Sequence, residues 1–277
     1  ISLNGFTPVG VASLRLIIAS VFLLFFFYLQ NKKFFFTKEI IILLIAVGII
    51  GNFIPFVLIS WAEQYIPSST AGMLMAIGPI ITLLMSHFLT KSDRFTFLKF
   101  FSVFIGFIGV LFIFNINISK NIITNYNFFD LISKILVILA AFGYMFSNIL
   151  AYEKLNEIDS FTITTFATTF GAIFSIPFFL IDLYFNNLSY SFNYFSIYSL
   201  LYLGIFPTAI AFQFRYYITK TSGPVFLSYV AYLIPAFAVI WGYILLGERI
   251  GINSLIGILM ILMGVYLGQN SLVSKIS

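Results

Sequence analysis

The stretch VGIIGNFIPFVLIS (Val47–Ser60) returns 156 residues later as LGIFPTAIAFQFRY (Leu203–Tyr216). Val47-Gly48-Ile49 meets Leu203-Gly204-Ile205. Asn52, Phe56 and Ser60, spaced i, i+4, i+8 on one helix face, meet Thr208, Phe212 and Tyr216. Working outward, Ile77-Gly78-Pro79 and Leu233-Ile234-Pro235 each place a proline 31 residues beyond the matched glycine. Gly109-Val110-Leu111 recurs as Gly264-Val265-Tyr266, at an offset of 155. Landmarks holding so constant an offset belong to one duplicated unit.

The charges of matched loops differ. The first-half loop carries Lys32, Lys33 and Lys38, whereas its counterpart, Phe185–Ser196, has no Lys or Arg. Basic loops stay on the cytoplasmic side, so the two loops lie on opposite faces of a membrane. With 30–38 placed inside, Lys32, Lys33, Lys38, Lys91, Arg94, Lys99, Lys154, Arg215, Lys220 and Lys275 fall at cytoplasmic ends. Only Lys120 and Arg249 fall in outside loops. An inverted duplication in a bilayer is a common plan of secondary transporters.

Composition sets the same solvent. The chain has 277 residues, 61% hydrophobic and 8% charged, with mean hydropathy +1.08. A water-soluble domain carries roughly 25% charged residues. The net charge of +5 is dispersed over loops and forms no basic helix face for nucleic acid. With no Cys and one His, His87, disulfides, thiolate metal sites and His-cluster metal sites are excluded, and no cofactor is expected.

A span needs about 20 apolar residues. Nine segments qualify: 8–29, 39–61, 68–90, 96–115, 128–151, 161–184, 196–217, 223–246 and 251–269. The predicted fold is an all-α membrane protein of nine transmembrane helices in two inverted repeats, residues 1–118 and 119–277. The second repeat has five spans and the first four. The counterpart of 128–151 is therefore expected before Ile1, giving ten helices in the full protein and a vacant groove beside 8–29.

Several motifs carry a family resemblance. They are Pro8 with Ala12-Ser13-Leu14-Arg15-Leu16, Ala76-Ile77-Gly78-Pro79-Ile80 with Tyr232-Leu233-Ile234-Pro235-Ala236, and Leu245-Leu246-Gly247-Glu248-Arg249 followed by Gly257 and Gly264. Through their order and spacing the chain resembles the drug/metabolite transporter superfamily, in its EamA-type branch, over nearly its whole length. It departs from the pattern at the first-half ending, Lys91-Ser92-Asp93-Arg94, and in lacking the first helix. The resemblance implies a carrier with a central cavity that moves amino acids, other metabolites or drugs, often outward.

The candidate site residues follow from helical stripes. Asn52, Phe56, Ser60, Thr208 and Phe212 form polar and aromatic ladders suited to hydrogen-bonding and stacking on a substrate, or to helix–helix hydrogen bonds. Tyr144 and Asn148 share a face with Ser147. Tyr229 and Tyr232 stand one turn apart, with Met73 at the repeat position of Tyr229. Pro55, Pro79, Pro207 and Pro235 each remove a helix hydrogen bond and are candidate kinks. Arg15, seven residues into its span, either snorkels to the surface or serves the cavity. Lys134 pairs with Asp130. Glu63, Asp182 and Glu248 sit at outer helix ends as solvated acids, and His87 packs at a cytoplasmic end.

The charges are too dispersed for an intramembrane enzyme, the alternative from another class. A nucleotide-sugar or sugar-phosphate exchanger would need several buried cations, and Arg15 alone qualifies. The expected substrate is a small neutral, zwitterionic or amino-acid-like metabolite or drug, moved outward by alternating access across a bacterial cytoplasmic membrane. The bilayer is its environment. A coupling proton and a second copy of the chain are the other candidate partners.

Overall fold

The computed structural model describes residues 2–30, 36–91, 95–114, 128–186, 194–246 and 251–273. All regular structure among them is helical. The helices are α1 (Pro8–Leu29), α2 (Lys38–Gly48), α3 (Ile54–Ala62), α4 (Ser68–Met75), α5 (Gly78–Leu89), α6 (Phe97–Ile113) and α7 (Phe128–Lys154). They continue with α8 (Ser160–Phe185), α9 (Tyr194–Gly204), α10 (Ala211–Ser222), α11 (Pro224–Ser228), α12 (Val230–Leu246) and α13 (Ile252–Val273).

Six segments are long and apolar enough to cross a bilayer: Pro8–Leu29, Lys38–Ala62, Ser68–Leu89, Phe128–Lys154, Ser160–Phe185 and Tyr194–Ser222. Three shorter apolar helices, Phe97–Ile113, Pro224–Phe237 and Ile252–Gly268, occupy the remaining predicted spans. In hydrocarbon each backbone N–H needs an internal partner, which a helix supplies. Thr7, Thr37, Thr96 and Asp159 cap the first turns of α1, α2, α6 and α8 by accepting from backbone amides. Large side chains such as Phe25, Phe88, Phe101 and Phe185 point outward, as expected of lipid-facing surface.

Two spans change helical type in mid-course. Ile49–Phe53, between α2 and α3, and Ile205–Ile210, between α9 and α10, are π-helical. Pro55 and Pro207 lie 152 residues apart, but the widened turns begin 156 apart, at the offset of the sequence repeat. A third span breaks between α4 and α5, where the amides of Ala76 and Ile77 tighten onto Met73 and Leu74 just before Pro79. A fourth turns at Tyr229, and Pro235 lies inside α12. Pro177 lies inside α8, a position the sequence analysis did not single out.

Two antiparallel pairs frame the bundle. In one, Thr7 at the start of α1 hydrogen-bonds Asp182 near the end of α8, and Phe27 at the other end stacks on Phe161. In the other, a Cβ at Gly109 of α6 would sit 2.7 Å from the Gly257 carbonyl oxygen. One at Gly264 would sit 2.6 Å from the Ser102 oxygen, so only glycine permits this α6–α13 approach.

Candidate functional site

The polar stripes converge where α1, α3, α7 and α10 meet. Phe56 of α3 and Phe212 of α10 stack, with ring centroids 5.6 Å apart and planes at 26°. Tyr144 of α7 meets Phe56 edge-on at 6.2 Å. The Arg15 guanidinium lies 3.6 Å from the Phe56 centroid, and that of Arg215 lies 4.9 Å from the Phe212 centroid. The contacts thus run guanidinium, ring, ring, guanidinium.

Hydrogen bonds fix both cations. Arg15 donates from Nε to Thr208 Oγ1 at 3.1 Å, and Thr208 in turn donates to the Leu203 carbonyl at 2.7 Å. That second bond spans five residues, a reach the widened turn provides. Arg215 donates from Nε to Asn148 Oδ1 (2.6 Å) and from Nη1 to the Gly51 carbonyl (3.2 Å). Its Nη2 donates to the Tyr144 carbonyl (3.1 Å) and to Ser147 Oγ (2.7 Å). Arg215 therefore ties α10 to both α7 and the π-helical turn at Gly51. Among the described residues no carboxylate stands within ion-pair distance of either arginine.

The expected residues divide into groups. Asn52, Phe56, Thr208, Phe212 and Asn148 are buried and Tyr144 half-buried around this centre. Asn52 is sealed with neither side-chain atom hydrogen-bonded. Ser60 is buried further along α3, and Met73 is half-buried in α4. Tyr229 and Tyr232 belong to a separate cluster with Val103, Val110 and Ile261. The Tyr229 hydroxyl shares a 2.5 Å hydrogen bond with Ser102, and Tyr232 donates to the Val103 carbonyl at 2.9 Å, so both hydroxyls are engaged with α6.

Arg215 requires a correction. It was counted among the cytoplasmic ends, but it lies inside the bundle, which leaves nine basic residues against two in the sidedness comparison. It also overturns the expectation that Arg15 alone is a buried cation. The available signal was depth: Arg215 lies seven residues before the end of α10, as Arg15 lies seven residues after the start of α1. Ending the span at 217 hid it.

Several other charges hold structural posts, and Lys99 at the start of α6 is also buried. Lys134 pairs with Asp130 at 2.7 Å, and Asp182 receives Thr7 and Asn186. His87 packs against Phe88 and Phe95. Lys32, Lys33, Arg94, Lys120, Glu248, Arg249 and Lys275 lie outside the described residues, as does the boundary at 118. Among the described residues no His, Cys, Asp and Glu group could hold a metal ion.

Two clefts open along helices that build the centre. One of about 370 Å³ is lined by Lys91, Tyr152, Glu153, Asn156 and Lys220. Tyr152 lies one turn beyond Asn148 and Lys220 one turn beyond Tyr216, so the cleft follows the helix faces that hold Arg215. The other, apolar and about 260 Å³, runs beside α1 between Phe22, Phe26, Phe161 and Phe214.

The sequence profile of the EamA-like transporter family matches residues 1–115 and 131–268. The chain belongs to the EamA-like transporter family. This transporter is 24% identical to an "Uncharacterized transporter" of Archaeoglobus fulgidus over 96% of its own length and 90% of the relative's. It is 28% identical to "Uncharacterized transporter YdfC" of Bacillus subtilis over 92% of its length and 79% of that protein's. A crystal structure sharing 15% identity superposes with a TM-score of 0.77, covering 97% of the transporter and 90% of that chain, so the fold is shared. Family and apolar helices together make it a multi-pass membrane protein.

Proposed function

We propose that the transporter is a secondary active carrier exporting a small metabolite, of about amino-acid size, across a bacterial cytoplasmic membrane by alternating access. Its two halves, dividing near residue 118, are inverted repeats. The observation that carries this reading is the Phe56–Phe212 stack: two residues separated by the repeat offset touch each other, as residues beside a pseudo-two-fold axis do. Further support comes from the π-helical turns at the same offset and from the antiparallel α1–α8 and α6–α13 contacts. Within each of those two pairs, one helix is the repeat counterpart of the other. An axis relating two antiparallel membrane helices lies in the membrane plane, and rocking about a midplane site opens it to either side in turn. The family profile likewise matches in two stretches.

In this reading the cleft at Lys91, Tyr152, Glu153, Asn156 and Lys220 is the cytoplasmic vestibule, and the stacked rings form the floor that a moving substrate must part. The test is counterflow in proteoliposomes with a broad panel of labelled metabolites, using the full-length gene product. At least one compound should exchange in protein-containing vesicles and not in empty ones. No carrier-mediated flux for any compound would refute the reading.

A further inference from the structure

The two central arginines differ in how many of their hydrogens are used. A guanidinium offers five N–H donors in a planar fork. Arg215 engages Nε, Nη1 and Nη2 with protein acceptors. Arg15 engages Nε alone. Its Nη1 and Nη2 have no hydrogen-bond partner among the described residues, and Arg15 as a residue is half-buried. One turn before the ring that Arg15 covers, Asn52 is fully buried with its donor and its acceptor both unused. A forked donor and an amide, both without partners inside a membrane bundle, leave hydrogen-bonding capacity that a bound molecule would complete.

Charge narrows the choice of molecule. Two cations share this centre; Glu63 acts on Arg15 through space, and no described carboxylate forms an ion pair with either. A monoanion cancels one of these charges. A neutral compound cancels none, and a zwitterion adds an ammonium among the guanidiniums, where repulsion is strong at low dielectric. A phosphate dianion calls for several open forks, and one is open. The planar fork of Arg15 matches a carboxylate in bidentate fashion.

Resting on the carrier reading above, we infer that the central site takes a small organic acid as its carboxylate anion. Arg15 Nη1 and Nη2 hold the two oxygens, Asn52 meets a second polar group, and Phe56 and Phe212 form the apolar wall. Arg215, with four of its five N–H groups given to protein acceptors, is a positioning residue that fixes α10 against α7.

The test measures binding of phenylacetate, phenylacetamide, L-phenylalanine and inorganic phosphate to the purified full-length protein, by isothermal titration and by the shift in unfolding temperature. Phenylacetate should bind roughly tenfold or more tighter than the other three. Arg15→Gln should erase that preference. Arg15→Lys, which keeps the charge without the fork, should retain a reduced one, and it stands in if the Gln variant does not fold. Thr208→Val, which removes the Nε bond together with the Thr208–Leu203 bond, should weaken phenylacetate a few-fold. The assignment is overturned if phenylacetate does not bind, if any other probe binds as tightly, or if the preference survives in Arg15→Gln. Counterflow of the same probes separates the two readings: flux without acid preference defeats the carboxylate assignment and leaves the carrier standing.

Discussion

Phe56 and Phe212 lie 156 residues apart in sequence, and their rings stack at 5.6 Å in the middle of the bundle. Each ring also carries an arginine, Arg15 on one and Arg215 on the other. The two halves of the chain therefore meet through a pair of matched residues, and the charges gather around that contact.

Phe56→Ala and Phe212→Ala should each lower transport. Together they should show a coupling of about 0.5–1.5 kcal/mol in a double-mutant cycle of unfolding free energies, the usual worth of an aromatic pair beyond its area. Additive effects would mean the stack contributes nothing of its own. Phe212→Ala should impair flux more than Asn52→Ala, because it removes a whole stacking surface rather than one polar group.

Asn52 offers a separation of stability from activity. Burying its amide without partners costs about 1–3 kcal/mol, so Asn52→Leu should raise the stability of the empty protein by roughly 1 kcal/mol. The same variant should transport several-fold more slowly. A loss of stability together with normal flux would show that the amide is satisfied in the empty protein.

Arg215→Met should destabilise the protein by about 3 kcal/mol. It leaves Asn148, Ser147 and two carbonyls without their donor. Arg15→Met should cost less, since it breaks one protein hydrogen bond. Chemical denaturation in detergent ranks the two, and the reverse order would contradict the division of roles.

The stripes were legible because Asn52, Phe56 and their counterparts repeat at helical spacing, a local signal; that Phe56 and Phe212 stack on each other was not. Tyr229 and Tyr232 had the same local signal. Their partners, Ser102 and Val103, sit more than 120 residues away on α6, so nothing near them announced that their hydroxyls were engaged. Arg215 escaped for a related reason: a charge close to a span end reads as solvated until its acceptors on α7 are known. The π-helical turns were invisible as such. A proline marks a lost hydrogen bond, but whether the helix bends or widens depends on neighbours such as Ser147, packed beside Gly51.

Two glycines give a calibrated test of packing. A Cβ at Gly48 would sit 2.2 Å from the Ala167 carbonyl oxygen, whereas one at Gly72 meets nothing within 4 Å. Gly48→Ala should cost about 2–3 kcal/mol through forced separation of α2 and α8. Gly72→Ala should be neutral or stabilising by up to about 1 kcal/mol from helix propensity. Thermal unfolding of both variants checks the pair, and equal effects would place α2 away from α8.

The proposed alternating-access mechanism rests on inverted topology, and sidedness tests it most directly. The chain has no cysteine, so single cysteines at Lys38 and at Asn186, bordering loops matched by the repeat, are unique labels. Intact cells are treated with a membrane-impermeant maleimide before and after permeabilisation. The cysteine at 186 should react in intact cells, and the one at 38 only after permeabilisation. Labelling of both from the same side would contradict the inverted repeat, and with it the alternating-access account.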